Sequence, residues 1–266
     1  MQFFKNNHLQ PRRITSLIEV KNLVKQYGTH LALDDLSFSV EDNEIFGFLG
    51  PNGAGKSTTM NIITGYLAPT SGSVSIDGHD IIEDPIGAKR LIGYLPELPP
   101  LYQEMTPREY LKFVAEAKGV KKADLKAEVD RVMERTAITD VQDQLIKTLS
   151  KGYRQRVGMA EAIIGSPRVI IMDEPTVGLD PVQIIEFREM IRELGKDHTV
   201  IISSHILAEI SEICHKIMII VKGKLVAIDT PENLAKMIGG DIENMSLEDI
   251  FLKFVEKEGQ TNADSI

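Results

Sequence analysis

The chain has 266 residues, 42% hydrophobic and 26% charged, an ordinary balance for a soluble globular protein. Against 39 acidic residues stand 30 basic ones, and the net charge of −9 argues against nucleic acid as a partner. Its one cysteine, Cys214, excludes an intrachain disulfide and agrees with a reducing compartment.

That length predicts one large α/β domain with an inserted or appended subdomain. No apolar run approaches the ~18 residues that a bilayer span needs, and residues 1–16 lack the apolar stretch of a signal peptide. The expectation is a cytoplasmic chain that reaches a membrane only through a partner. Residues 1–16 are polar, mildly basic and expected to be loosely ordered. Cys214, in AEISEIC, reads as a buried helix position.

From residue 16 to 43, short alternating runs broken by Tyr-Gly and Asp-Asn predict an antiparallel β flap. Within it, Tyr27 suits stacking on a base, or is simply a half-exposed aromatic. Residues 44–49 (EIFGFL), 169–172 (VIIM) and 199–203 (TVIIS) have the continuous apolar character of strands buried on both faces of a parallel sheet. Each is followed at once by polar residues, where ligands bind in open α/β sheets.

The first of these strands leads into GPNGAGKST, residues 50–58, and then into a helical TMNIITGYL. This satisfies the phosphate-loop pattern together with its strand–helix context. Gly50, Gly53 and Gly55 let the loop through Pro51, Asn52, Ala54 and Thr58 wrap closely around a phosphate chain, so that its available N–H groups point inward. Lys56 adds a mobile positive charge, Ser57 a hydroxyl ligand for Mg²⁺, and the helix N-terminus favours the anion.

Between residues 106 and 149 the spacing becomes helical, in MTPREYLKFVAEAKG, ADLKAEVDRVMERTAI and DVQDQLIKTL, with Thr106 as N-cap and Pro107 in the first turn. This predicts a helical insertion. LSKGYRQR, residues 149–156, then reads as a second helix start with no obvious nucleophile or base. The strand RVIIM delivers Asp173, suited to the outer sphere of Mg²⁺, and Glu174, placed to polarise an attacking water. Gly178 permits a tight turn before Asp180. His205 closes TVIISSH and is the only histidine directly after a predicted core strand, which suggests a γ-phosphate contact. Residues 246–255 place Leu247, Ile250, Phe251, Phe254 and Val255 on one helical face behind a Ser246/Asp249 capping box; packing on its own domain is favoured over docking to a partner. The last residues read as disordered.

In this order the motifs closely resemble the ATP-binding cassette ATPases, the ATP-binding subunits of ABC transporters, from about residue 17 to 229. The resemblance implies an α/β P-loop NTPase (RecA-like) core with a mainly parallel sheet. An antiparallel β subdomain and a helical subdomain, about 98–165, would complete the domain. A C-terminal helical extension, 230–256, and a disordered tail, 257–266, would follow. It makes Tyr27 the base-stacking aromatic, Glu174 the catalytic carboxylate, His205 the switch histidine and GLDP, with Asp180, the D-loop. LSKGYRQR, with Ser150, Lys151, Gly152 and Tyr153, matches the signature that caps the ATP of a second subunit. The cofactors implied are ATP and Mg²⁺; the partners are a second ATP-binding subunit and an integral membrane permease. Two positions depart from the family pattern. Glu97 stands where glutamine is usual, able to accept from Mg²⁺ or its waters but not to donate. Lys151 and Tyr153 replace glycine and glutamine. Both variants, with the terminal SLEDIFLKF, resemble the branch serving efflux, antibiotic resistance and gliding motility, and point to export. The alternatives are a soluble cassette ATPase acting on DNA or ribosomes, which usually carries a long coiled coil or two cassettes, and a stand-alone P-loop kinase or GTPase.

Overall fold

The computed structural model describes residues 16–237. The expectations for residues 1–15 and for 238–266, including the Ser246/Asp249 box, lie outside the described residues.

Strands β1 (Ile18–Tyr27) and β2 (His30–Val40) form the expected antiparallel flap, turning at Gly28. After β3 (Ile45–Leu49) and α1 (Lys56–Ile63), the flap gains β4 (Ser71–Ile76) and β5 (His79–Asp80), giving the order β2-β1-β4-β5. Then come α2 (Pro85–Arg90) and β6 (Ile92–Leu95), and next the helices α3 (Pro107–Ala117), α4 (Leu125–Arg135) and α5 (Lys151–Ile163). The chain returns through β7 (Val169–Asp173), α6 (Pro181–Leu194), β8 (Thr199–Ser204), α7 (Leu207–Ile213), β9 (Lys216–Val221), β10 (Lys224–Asp229) and α8 (Pro231–Met237).

The three expected buried strands are β3, β7 and β8, each within a residue of its predicted bounds. They sit together in a six-stranded sheet of order β10-β9-β3-β8-β7-β6, parallel except for β10 against β9. Successive residues of a strand face opposite sides, so β3 serves two cores. Phe46 and Phe48 pack with Phe38 under the antiparallel flap, while Ile45 and Leu49 join the core shared with the helices. The double burial explains why these strands read as unbroken apolar runs.

Thr106 caps α3 as expected, within a reciprocal capping box with Glu109. One expected helix is absent. Residues 140–149 form only two short 3₁₀ turns, Thr139–Val141 and Ile146–Thr148. Their backbone groups bond elsewhere: Gln142 O accepts from Arg108 N, Ile146 N donates to Met105 O, and Lys147 N donates to Gln103 O. Tertiary partners outcompete the local helical pattern there. Cys214 lies just past the end of α7, buried, with its thiol pKa raised by burial. Among the described residues no helix is long and apolar enough to cross a membrane.

Candidate active site

The site lies at the carboxyl ends of β3, β7 and β8. β3 is buried along its whole length, and the chain leaves it at Gly50. A Cβ on Gly50 would overlap the Ile220 carbonyl oxygen of β9, so glycine is required for the loop to leave the sheet so closely. Gly53 (φ 79°) and Gly55 (φ 108°) take left-handed backbone that other residues avoid. A Cβ on Gly55 would also come within 2.7 Å of Leu33 Cδ2 and 2.9 Å of Ala32 O, which shows how tightly β2 covers the loop. Gly55 is the N-cap of α1 and supplies no side-chain acceptor, so first-turn amides of the helix are left for an outside anion.

Lys56, only 5% exposed, donates from Nζ to Gly50 O at 2.7 Å and lies 3.3 Å from Glu174 Oε1. The other Glu174 oxygen, Oε2, is 2.8 Å from His205 Nδ1. One buried carboxylate therefore bridges the lysine of the phosphate loop and the histidine after β8. Glu174 itself has φ 48°, in the left-handed region. Its backbone N–H donates to Ser203 Oγ at 2.9 Å, and that hydroxyl donates to Asp173 Oδ1 at 2.5 Å. Ser57 Oγ donates to the same Asp173 oxygen at 3.3 Å.

These groups open onto a cleft of about 510 Å³. Residues 52–58, Tyr27, Glu97, Glu174 and His205 line it, together with His30, Ala32 and Val177. Gly50 and Pro51 lie behind the loop and turn carbonyls toward the Lys56 ammonium. Tyr27 stands at the rim, 47% exposed, with Lys25 Nζ 5.0 Å from its ring centre. Ser57 and Glu97 line the cleft, while Asp173 is not in its lining but reaches Ser57 at 3.3 Å; oxygen donors of this kind suit a hard divalent cation. Two contributors were missed: His30, and Ser203, which orients both Asp173 and the Glu174 backbone. Ser203 left a signal, a polar residue directly after the apolar run Val200–Ile202 and two places before His205.

The signature residues are elsewhere. Ser150 caps α5, its Oγ accepting from Tyr153 N at 3.3 Å, and Asp180 caps α6, accepting from Gln183 N at 3.0 Å. A Cβ on Gly152 would meet the Gln183 side chain at 2.8 Å, and one on Gly178 would overlap the Lys151 ammonium. The Tyr153 hydroxyl donates to Asp140. Ser150, Lys151, Gly152, Tyr153 and Asp180 thus form one packed group, and none of them lines the cleft.

A glycine-rich loop joining a buried strand to a helix, with its lysine paired to a strand-end carboxylate, defines a P-loop nucleoside triphosphatase. The ABC transporter family matches residues 33–177, more than half of the chain, and the chain belongs to that family. It is 37% identical over 248 residues to the uncharacterized ABC transporter ATP-binding protein YhcH of Bacillus subtilis, covering 92% of this chain and 77% of that protein. It is 35% identical over 226 residues to the linearmycin resistance ATP-binding protein LnrL of the same organism, covering 85% and 73%. A solved structure of the ATP-binding subunit of an ABC transporter aligns with a TM-score of 0.80 and 31% identity, covering 90% of this chain and 99% of that one. The chain is therefore an ATPase of the transporter type, an ATP-binding subunit of the efflux branch. The DNA- or ribosome-acting alternative is not favoured.

Proposed function

We propose that this subunit hydrolyses Mg²⁺-ATP with Glu174 as general base, in a head-to-tail pair with a second ATP-binding subunit, to drive export through separate membrane subunits. The observation that carries the reading is the Glu174 carboxylate, held 3.3 Å from Lys56 Nζ and 2.8 Å from His205 Nδ1 beside the phosphate loop. Loop amides and the Lys56 ammonium bind the phosphate oxygens, and Tyr27 supports the base. Glu174 takes a proton from water as the water oxygen attacks the γ-phosphorus in line, and the bond to the β–γ bridging oxygen breaks to release ADP. His205 holds that carboxylate in place and offers a polar contact to the γ-phosphate. Ser57, Asp173 and Glu97 would hold the metal, and Ser203 keeps Asp173 turned toward it. Bound Mg²⁺ supplies charge neutralisation across the phosphate oxygens.

Ser150, Lys151, Gly152, Tyr153 and Asp180 complete the site of a second subunit, which agrees with their absence from the cleft of their own chain. Membrane attachment is peripheral, through a permease subunit seated near residues 97–110. A second groove of about 520 Å³ there is lined by Tyr94, Leu98, Pro99 and Glu161. The Tyr94 hydroxyl is pushed up to about 12, by burial first and then by the Asp173 charge, so it stays protonated. Glu161 accepts from Tyr110 at 2.5 Å, and burial raises its pKa.

Glu174→Gln tests the central claim. Nucleotide binding should persist while turnover falls by about a thousandfold, the scale of a lost general base. Undiminished steady-state hydrolysis would remove Glu174 from that role.

A further inference from the structure

Helices α3 and α4 enclose a groove of about 350 Å³ that no part of the ATPase site uses. Its floor is Leu125 and Val129; its walls are Arg108, Lys112, Lys122 and Lys126, against one acid, Glu116. Arg108 is already committed, donating to Asp130 at 2.8 Å and to Gln142. Lys112, Lys122 and Lys126 are exposed and form no ion pair or hydrogen bond among the described residues. In a chain of net charge −9, three free ammonium groups around one groove are a local reversal of sign.

We propose that this groove is a contact surface for the anionic headgroups of the membrane leaflet beside which the subunit works. The inference rests on the membrane attachment proposed above and names a second element of it. Placement supports it. α3 separates the two grooves: Tyr110 donates to Glu161, which lines the groove assigned to the permease, while Arg108 and Lys112 line this one. One helix diameter, about 10 Å, lies between them. A subunit docked by the first groove therefore carries the lysines close beside its membrane partner. The chemistry favours lipid over an acidic protein segment. The fork-shaped donor, Arg108, is occupied, and the free groups are flexible point charges that suit phosphates of no fixed arrangement. Their aliphatic stems can lie along the apolar floor while the ammonium groups stay in the headgroup layer.

The test is flotation of the full chain with vesicles of phosphatidylcholine alone and of an equimolar mixture with phosphatidylglycerol. It is run on the natural sequence and on K112Q/K122Q/K126Q, with equal ATP hydrolysis by both showing that the variant is folded. The natural chain should bind the anionic vesicles, release them at high salt, and lose about fivefold in partitioning per lysine, roughly a hundredfold for three. Three changes elsewhere, K21Q/K147Q/K196Q, should leave binding intact. Equal binding to neutral and anionic vesicles, or equal binding by K112Q/K122Q/K126Q, would overturn the proposal. So would loss of permease association by that variant in lipid-free detergent without any anionic-vesicle binding by the natural chain, since the occupant would then be an acidic protein segment. Permease association of the natural chain in lipid-free detergent needs no lipid, so failure of vesicle binding and failure of the membrane-attachment reading are told apart.

Discussion

α1 and α5 both begin just after a sharp loop, and their first turns are finished in opposite ways. α1 starts from Gly55, which has no side chain to cap it, and its opening residues line the cleft. α5 starts from Ser150, whose hydroxyl takes the Tyr153 amide, and it is fastened sideways by Tyr153 to Asp140 and by the close fit of Gly152 on Gln183. An uncapped helix start keeps donors free for a ligand of its own chain. A capped and buttressed one has spent those donors within its own chain and is held rigid. The two helix starts therefore differ in kind, one with its first-turn amides open and one with them closed by its own chain.

The sharpest way to break this contrast is at Lys56. Lys56→Ala should lower ATP affinity by about a hundredfold or more, the scale of removing a charged donor from a phosphate site, as read by calorimetry. Unchanged affinity would mean that the open helix start is not the phosphate site. Ser150→Ala should act differently: ATP affinity of the isolated chain stays the same, while turnover at high protein concentration falls by roughly tenfold. Loss of the cap should also cost about 1 kcal/mol of folding stability. A fall in single-chain affinity would place Ser150 in its own cleft. Tyr153→Phe is the mildest. It removes one exposed hydroxyl bond to Asp140, so chemical denaturation should show a loss below about 1 kcal/mol with ATP affinity untouched.

Legibility in the sequence followed chain locality. The phosphate loop could be read because its donors are contiguous between a strand and a helix, and β3, β7 and β8 because two-sided burial leaves unbroken apolar runs. Pairing of Lys56 with Glu174 was not legible, since it depends on β8 lying between β3 and β7 in the sheet. Ser203 escaped for a related reason: its worth comes from a carboxylate on the neighbouring strand. Residues 140–149 misled because their apolar spacing is helical while their backbone partners, Arg108, Met105 and Gln103, lie more than thirty residues upstream. The glycines carried a partly different message from the one expected. Gly53 and Gly55 supply backbone freedom, but Gly50 is needed for its missing Cβ against Ile220 O.

The left-handed backbone of Glu174 has a cost that falls on the whole fold. A side chain at φ 48° carries strain of order 1 kcal/mol, which glycine would relieve, and it is held there by the two Ser203 contacts to its amide. Glycine would relieve that strain but would take the carboxylate away from the buried Lys56 ammonium, a larger loss. Strain and ion pair are thus tied together in one residue, and a change at Glu174 alone or at Lys56 alone would be felt in the stability of the whole domain.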